Sequence, residues 1–298
     1  MLVRFATLLL GATLVVHGQN PNQPLTPEQL AQSGSEMSPF EAADLEKELV
    51  KNPHDLSARA KLVGYYFYQW MQVGEETAKT ERRKHVLWTI QHHPDSTLAG
   101  LYEFSIDPRG HQMADSKTYE DARRLWLQQM ESPGVAARTI GNIGRFFQLN
   151  DRELSEKAFQ KAQKMEPANA EWDWRLGYLY GLAILGVDGL AFNGQPASID
   201  PLARNGPFAA HARQVLETTP KAMVTAVCAD VLYRYGTMLA PSENARLEYV
   251  EQAYKLFARA AALEPRNPTW AKMVQHMEAM KVQLKSSPTA LPRLPTNK

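Results

Sequence analysis

The chain has a single cysteine, Cys228, in 298 residues. One thiol excludes a disulfide framework and a cysteine-built metal centre, and leaves Cys228 to be read as a small apolar core residue. Charge of one sign is missing as well. The 33 lysines and arginines stand against 32 aspartates and glutamates, which removes the electrostatic footprint of a nucleic-acid binder or of a protein held to an anionic membrane. The sequence contains no His-Glu-x-x-His, Gly-x-Ser-x-Gly or Gly-x-x-x-x-Gly-Lys-Ser/Thr segment, so zinc peptidase, nucleophile-elbow hydrolase and phosphate-loop chemistry find no motif. Carboxylates are plentiful, but as in Glu41 to Glu48 and Glu251 to Lys255 they sit beside bases, the pattern of solvated helix faces. No cofactor and no metal is therefore expected.

The N-terminus carries Arg4 and then an apolar run, Phe5 to Val16, of 12 residues, short of the roughly 20 that cross a bilayer. With Val16 and Gly18 at the −3 and −1 positions, residues 1–18 read as a signal peptide cleaved after Gly18, and the mature chain as exported to a periplasm or the exterior without stable membrane insertion. The lack of an Asn-x-Ser/Thr acceptor with x other than proline fits a bacterial exporter. Residues 19–39, rich in Gln, Asn, Pro and Ser, and residues 285–298, with Pro288, Pro292 and Pro295, read as disordered tethers.

Between them one pattern recurs: an amphipathic segment ends, a proline follows, and another segment begins. Pro53, Pro94, Pro133, Pro167, Pro220 and Pro265 are 41, 39, 34, 53 and 45 residues apart. Proline lacks an amide hydrogen and has φ near −65°, so it stops one helix and opens the next. Such a period predicts an all-α chain of stacked helical hairpins over 40–284, with no strand pattern competing. Helices are expected near 40–51, 55–73, 76–92, 95–105, 116–131, 134–149, 151–165, 169–185, 206–218, 221–239, 243–263 and 267–284. Residues 185–205 interrupt the array. Gly186, Gly189 and Gly194 with Pro196 and Pro201 oppose a continuous helix, while Val187, Leu190, Phe192 and Ile199 are too apolar for a linker in water, so this insertion should fold back onto the helices.

Ser155, Phe159, Ala162 and Pro167 are spaced four, three and five apart, and Ala253, Phe257, Ala260 and Pro265 repeat that spacing. Leu176-Gly177 with Tyr180, Ile143-Gly144 with Phe147, and Val63-Gly64 with Phe67 supply part of a first-helix signature. On these residues the chain resembles a divergent tetratricopeptide-repeat protein. The resemblance implies a right-handed α-solenoid of about five to six hairpins, whose concave face binds a protein or peptide partner.

Registered on Gly64, Gly144 and Gly177, the residues expected to line that face are Tyr65, Tyr68, Arg145, Trp174 and Tyr178. The tyrosines and tryptophan would give contact area at low entropic cost, and Arg145 would take a carboxylate or carbonyl. A register displaced by one would instead send these side chains into the core. The leading reading is thus a non-enzymatic exported scaffold. The alternative is a secreted carbohydrate-binding factor or hydrolase using the same aromatic surface. Two further features read as structural: Ser105-Ile106-Asp107-Pro108 recurs as Ser198-Ile199-Asp200-Pro201, an Asp-Pro turn whose carboxylate binds nearby amides, and His92 with His93 finishes a helix.

Overall fold

The computed structural model describes residues 24–109, 113–190 and 195–286. The segment read as a signal peptide, the Pro-rich tail beyond Ser286 and Phe192 with Gly194 lie outside the described residues. Described residues are mostly helical, as the proline punctuation predicts, and they divide into two compact units, 1–131 and 132–298.

In the first unit the chain runs through α1 (Pro27–Ser33), a 3-10 turn Gly34–Glu36, α2 (Pro39–Lys51), α3 (Leu56–Tyr68), α4 (Trp70–Val73), α5 (Glu75–His92), two 3-10 turns at Thr97–Gly100 and Tyr102–Phe104, and α6 (Ser116–Glu131). Helix α1 lies in the segment read as a tether, and that reading is corrected for the described part of 19–39. Thr26-Pro27-Glu28-Gln29 and Ser38-Pro39-Phe40-Glu41 are both capping boxes with proline at the first helical position, each satisfying amide hydrogens that a helix start leaves open. Packing holds α1 in place. Ala31 is buried, and a Cβ on Gly64 would lie 1.7 Å from the Ala31 carbonyl oxygen, so the backbones of α1 and α3 approach as only glycine permits.

The helix expected over 95–105 is replaced by the two short turns. Buried Arg82 on α5 reaches them, donating to the carbonyls of Glu103 at 2.9 Å and of Ser105. Desolvation pushes the Arg82 guanidinium down to about 10, and its face rests 5.0 Å from the Phe67 ring centroid.

The second unit comprises α7 (Ala137–Phe147), α8 (Arg152–Met165), α9 (Ala170–Leu185), β1 (Val187–Leu190), β2 (Pro196–Ile199), α10 (Pro201–Arg204), α11 (Pro207–Thr218), α12 (Ala222–Val231), a π turn Leu232–Gly236, α13 (Thr237–Leu239), α14 (Glu243–Leu263) and α15 (Pro268–Ser286). Helix α7 packs on α8, α9 on α11 and α12, α12 on α14, and α14 on α15. The small-residue column does what its chemistry suggests: a Cβ on Gly177 would lie 2.4 Å from the Val224 carbonyl oxygen, and one on Gly144 would enter the Phe159 ring.

Two turns are built alike. In Glu166-Pro167-Ala168-Asn169 and Glu264-Pro265-Arg266-Asn267 the glutamate accepts the indole N–H of the tryptophan six residues on, Trp172 at 3.1 Å and Trp270 at 2.9 Å. The asparagine donates to the same glutamate and accepts the amide of residue 171 or 269. Each turn thus caps one helix and anchors a buried ring of the next.

The expectation that no strand competes is corrected at the insertion. Gly186, at φ +74°, ends α9 in the left-handed region, and β1 and β2 then pair antiparallel, Val187 opposite Ile199 and Leu190 opposite Pro196. Val187 and Leu190 are buried, and Arg152 donates to the Val187 carbonyl. The ribbon forms because Val187 and Leu190 gain cover while its backbone groups pair. Both Asp-Pro turns behave as expected: Asp107 accepts the amide of Arg109 at 3.0 Å and Asp200 that of Leu202 at 2.8 Å.

Candidate functional site

The residues expected on a groove divide between the units. In the first unit Tyr65 is buried, edge-on to Tyr66 with ring centroids 5.2 Å apart. Its side chain belongs to the core, so for Tyr65 the displaced register is the one observed. Tyr68 is half-buried, and its hydroxyl donates to Glu103 at 2.6 Å. Burial and that bond push its phenol above the ordinary range.

In the second unit Arg145, Trp174 and Tyr178 come together. On α9, Glu171, Trp174, Arg175 and Tyr178 follow the three-and-four spacing that makes one helical face. Trp174 and Tyr178 stack with centroids 5.1 Å apart and planes 10° from parallel, and the Arg175 guanidinium lies 5.0 Å from the Trp174 ring centroid. Helix α7 contributes Arg138 and Arg145, seven residues and two turns apart. Arg138 pairs with Glu171 at 2.6 Å, and Arg175 reaches the other Glu171 oxygen at 3.3 Å. Burial raises the Tyr178 phenol and Tyr235 adds to this, while Arg175 and Arg145 oppose it. These groups are therefore near enough to feel one another.

Arg138 and Arg175 thus share the Glu171 carboxylate, and Arg145 lies within electrostatic reach of Tyr178. Burial alone would raise Glu171, but Arg175 and Arg138 hold it below the usual carboxylate range. Burial pushes Arg175 down, and its Nε atom is buried without a hydrogen-bond partner. The glycine register finds Arg145, Trp174 and Tyr178 but misses Arg138, Arg175 and Tyr235. For the first two the signal was present, as Arg138 shares the Arg145 row and Glu171 with Arg175 is an i,i+4 pair. Tyr235 is placed by the π turn, for which α12 carries no sequence mark.

Two buried polar sets also escaped the sequence reading. In the first unit Glu46 accepts the Tyr66 hydroxyl at 2.9 Å and meets His85 Nε2 at 2.9 Å, while Arg59 contacts His85 Nδ1 at 3.2 Å. A guanidinium only donates, so Nδ1 accepts and the Nε2 hydrogen points to Glu46. In the second, Glu156 accepts the Tyr180 hydroxyl at 2.5 Å and meets His211 Nε2 at 2.9 Å. Each set cross-links three helices, α2, α3 and α5 or α8, α9 and α11. Among the described residues no serine, threonine or cysteine is hydrogen-bonded to either imidazole, and no three His, Cys, Asp or Glu groups converge as a ready metal site. Cys228 is buried, which pushes its thiol up.

Comparison of the chain with protein-family models, with curated proteins and with solved structures finds no match in any of the three.

Proposed function

We propose that the chain is a non-enzymatic, exported, tetratricopeptide-like scaffold that binds a protein or peptide segment through the aromatic and arginine face of its second unit. The observation that carries the reading is the stack of Trp174 on Tyr178 with Arg175 against the Trp174 ring, beside the Arg138–Glu171 pair and within electrostatic reach of Arg145 and Tyr235. A segment with an acidic side chain or terminal carboxylate beside an apolar residue suits it, the guanidinium groups orienting the charge and the rings covering the apolar part. The repeat reading is supported by packing order: α7–α8, α9–α11 and α12–α14 are successive pairs, α9 also meets α8 and α12, and α15 follows. Stacking of helical hairpins in a right-handed solenoid is the proposed basis of that order. The peptide reading is preferred to a sugar platform because Trp174 stacks on Tyr178 and carries Arg175 against its ring, which leaves it poorly placed to offer an open face.

Export rests on the N-terminal pattern, and the mature protein should begin near Gln19 by N-terminal sequencing. Partner capture is tested with the mature chain against a library of short peptides differing in acidic content. Arg145→Ala and Tyr178→Ala should each weaken the best binder by about 1 to 3 kcal/mol with the melting temperature little changed. Unaltered affinity in both variants, or equal binding of acidic and basic peptides, would overturn the reading.

A further inference from the structure

The turn before α3 and the end of α5 meet at one end of the first unit, and the side chains that meet there are imidazoles. His54 stands in the turn, His92 is the last residue of α5 and His93 its cap. His54 Nδ1 lies 3.1 Å from His93 Nε2. Ring centroids of His54 are 5.4 Å from His93 and 6.4 Å from His92. Trp88, one helical turn before His92, is 5.3 Å from His54, 4.7 Å from His92 and 5.3 Å from His93. Neither the proposed peptide face nor the hairpin packing uses this cluster.

The cluster has a buried support. Arg59 is 3.5 Å from the Trp88 ring centroid, and it donates through Nε at 3.1 Å and Nη2 at 2.7 Å to the carbonyl of Pro53, the residue before His54. Arg59 therefore fixes the backbone from which His54 projects and the ring against which the histidines lie. Its third contact, to His85, ties the same guanidinium to the Glu46 set.

A shared cation draws nitrogens to roughly 2.0–2.1 Å from itself, which at a tetrahedral angle leaves two of them about 3.3 Å apart. The His54 and His93 nitrogens are already at that spacing. Their hydrogen bond uses one N–H and one lone pair; a cation displaces that proton and takes a lone pair from each ring. His92 is exposed, so its side chain can turn without losing buried contacts, and among the described residues no third donor already converges on the pair. We propose that His54 and His93, joined by His92 on rotation of its side chain, bind one divalent transition-metal cation of the imidazole-preferring class. All three donors are imidazole nitrogens, which suit zinc, copper or nickel and not magnesium or calcium, which take oxygen. Of the other charged side chains here, Asp95 is exposed and favours a cation, Asp55 is occupied in capping the Ala58 amide, and Arg59 opposes one from beneath Trp88.

The test uses the whole chain with two probes: Zn2+ in titration calorimetry, and Cu2+ as a quencher of tryptophan fluorescence, which acts strongly only on a nearby indole. One equivalent of Zn2+ should bind. His54→Ala and His93→Ala should each weaken it by at least about tenfold, the loss that even an outer-shell partner of a metal site produces, and His92→Ala by less. His211→Ala should leave it unchanged. Trp88→Phe should retain Zn2+ binding and lose most of the Cu2+ quenching. If His93→Ala fails to fold, the exposed His54→Ala and His54→Gln variants decide. No Zn2+ binding by the wild-type chain, affinity unchanged in the folded His54 variants, or quenching that persists in Trp88→Phe would overturn the proposal.

Discussion

At the scale of single residues, the buried carboxylates set how this protein responds to acid. Burial pushes Glu46 up, but hydrogen bonds from His85 and Tyr66, with the charge of Lys84, hold it below the ordinary range. Asp115 is held down against burial by Thr118 and Arg83, and Glu171 by Arg175 and Arg138. A carboxyl lowered by folding contributes stability that is fully present above its unfolded value, about 3.9 for Asp and 4.3 for Glu, and is lost as pH falls through the folded value. Melting temperature should therefore hold to about pH 4.5 and fall below it. Glu46→Gln should melt lower at neutral pH and lose less on acidification. A melting temperature that stays level on acidification to about pH 3 would show that these carboxylates do not stabilise the fold. Glu156 offers a second check. Removing it as Glu156→Ala leaves the fully buried Tyr180 hydroxyl without its acceptor, at a cost of about 1 to 3 kcal/mol, readable as a lower urea midpoint. The partners of Glu46 and Glu156 were not legible in the sequence, because residues 20 to 55 apart share no local spacing.

Elements are placed by close approach and by caps. Gly64→Ala would drive a methyl group into the Ala31 carbonyl, and a fixed backbone cannot yield as a flexible side chain can. The expected outcome is release of α1, seen as faster amide exchange over residues 27–33 while α5 and α6 keep their protection. Unchanged exchange there would mean that α1 tolerates displacement. The paired turns at Pro167 and Pro265 give an internally controlled case. Glu166→Ala and Glu264→Ala each orphan an indole N–H on a buried ring and remove an asparagine's partner. Both should lower stability by about 1 to 3 kcal/mol, and to similar extents. Here the sequence showed the prolines and asparagines but not the glutamate to tryptophan bond. The capping boxes at Thr26 and Ser38 were legible as Ser/Thr three residues before Gln/Glu, and low apolar content around them hid that signal.

For the whole molecule, each unit has its own apolar interior, with Leu62, Phe67, Ile90 and Trp126 in one and Ile143, Phe159, Tyr180 and Phe257 in the other. A chain beginning at Ser132 should therefore keep helical circular dichroism and melt cooperatively, since its core is complete without residues 1–131. A non-cooperative melt would show that the second unit depends on the first. The sequence register placed Tyr65 and Tyr68 alongside Arg145, Trp174 and Tyr178, yet Tyr65 is core. One glycine-based rule was applied to both helices, and on α9 Gly177 packs on α12. It failed on α3 because Gly64 packs on α1 instead, so the residue after the glycine faces inward.

The sequence alone placed most of the helices outside 95–105 and α1, since proline, capping residues and apolar period act within a few residues of one another. It also determined which small residues would meet another helix, because only their size allows the approach. Tertiary structure decided which helix each glycine would meet, that Val187–Leu190 and Pro196–Ile199 would pair as a ribbon, and which carboxylates, imidazoles and guanidinium groups would share a site. Those outcomes depend on distances between segments tens of residues apart, which the packing of all the helices sets together and no local pattern encodes.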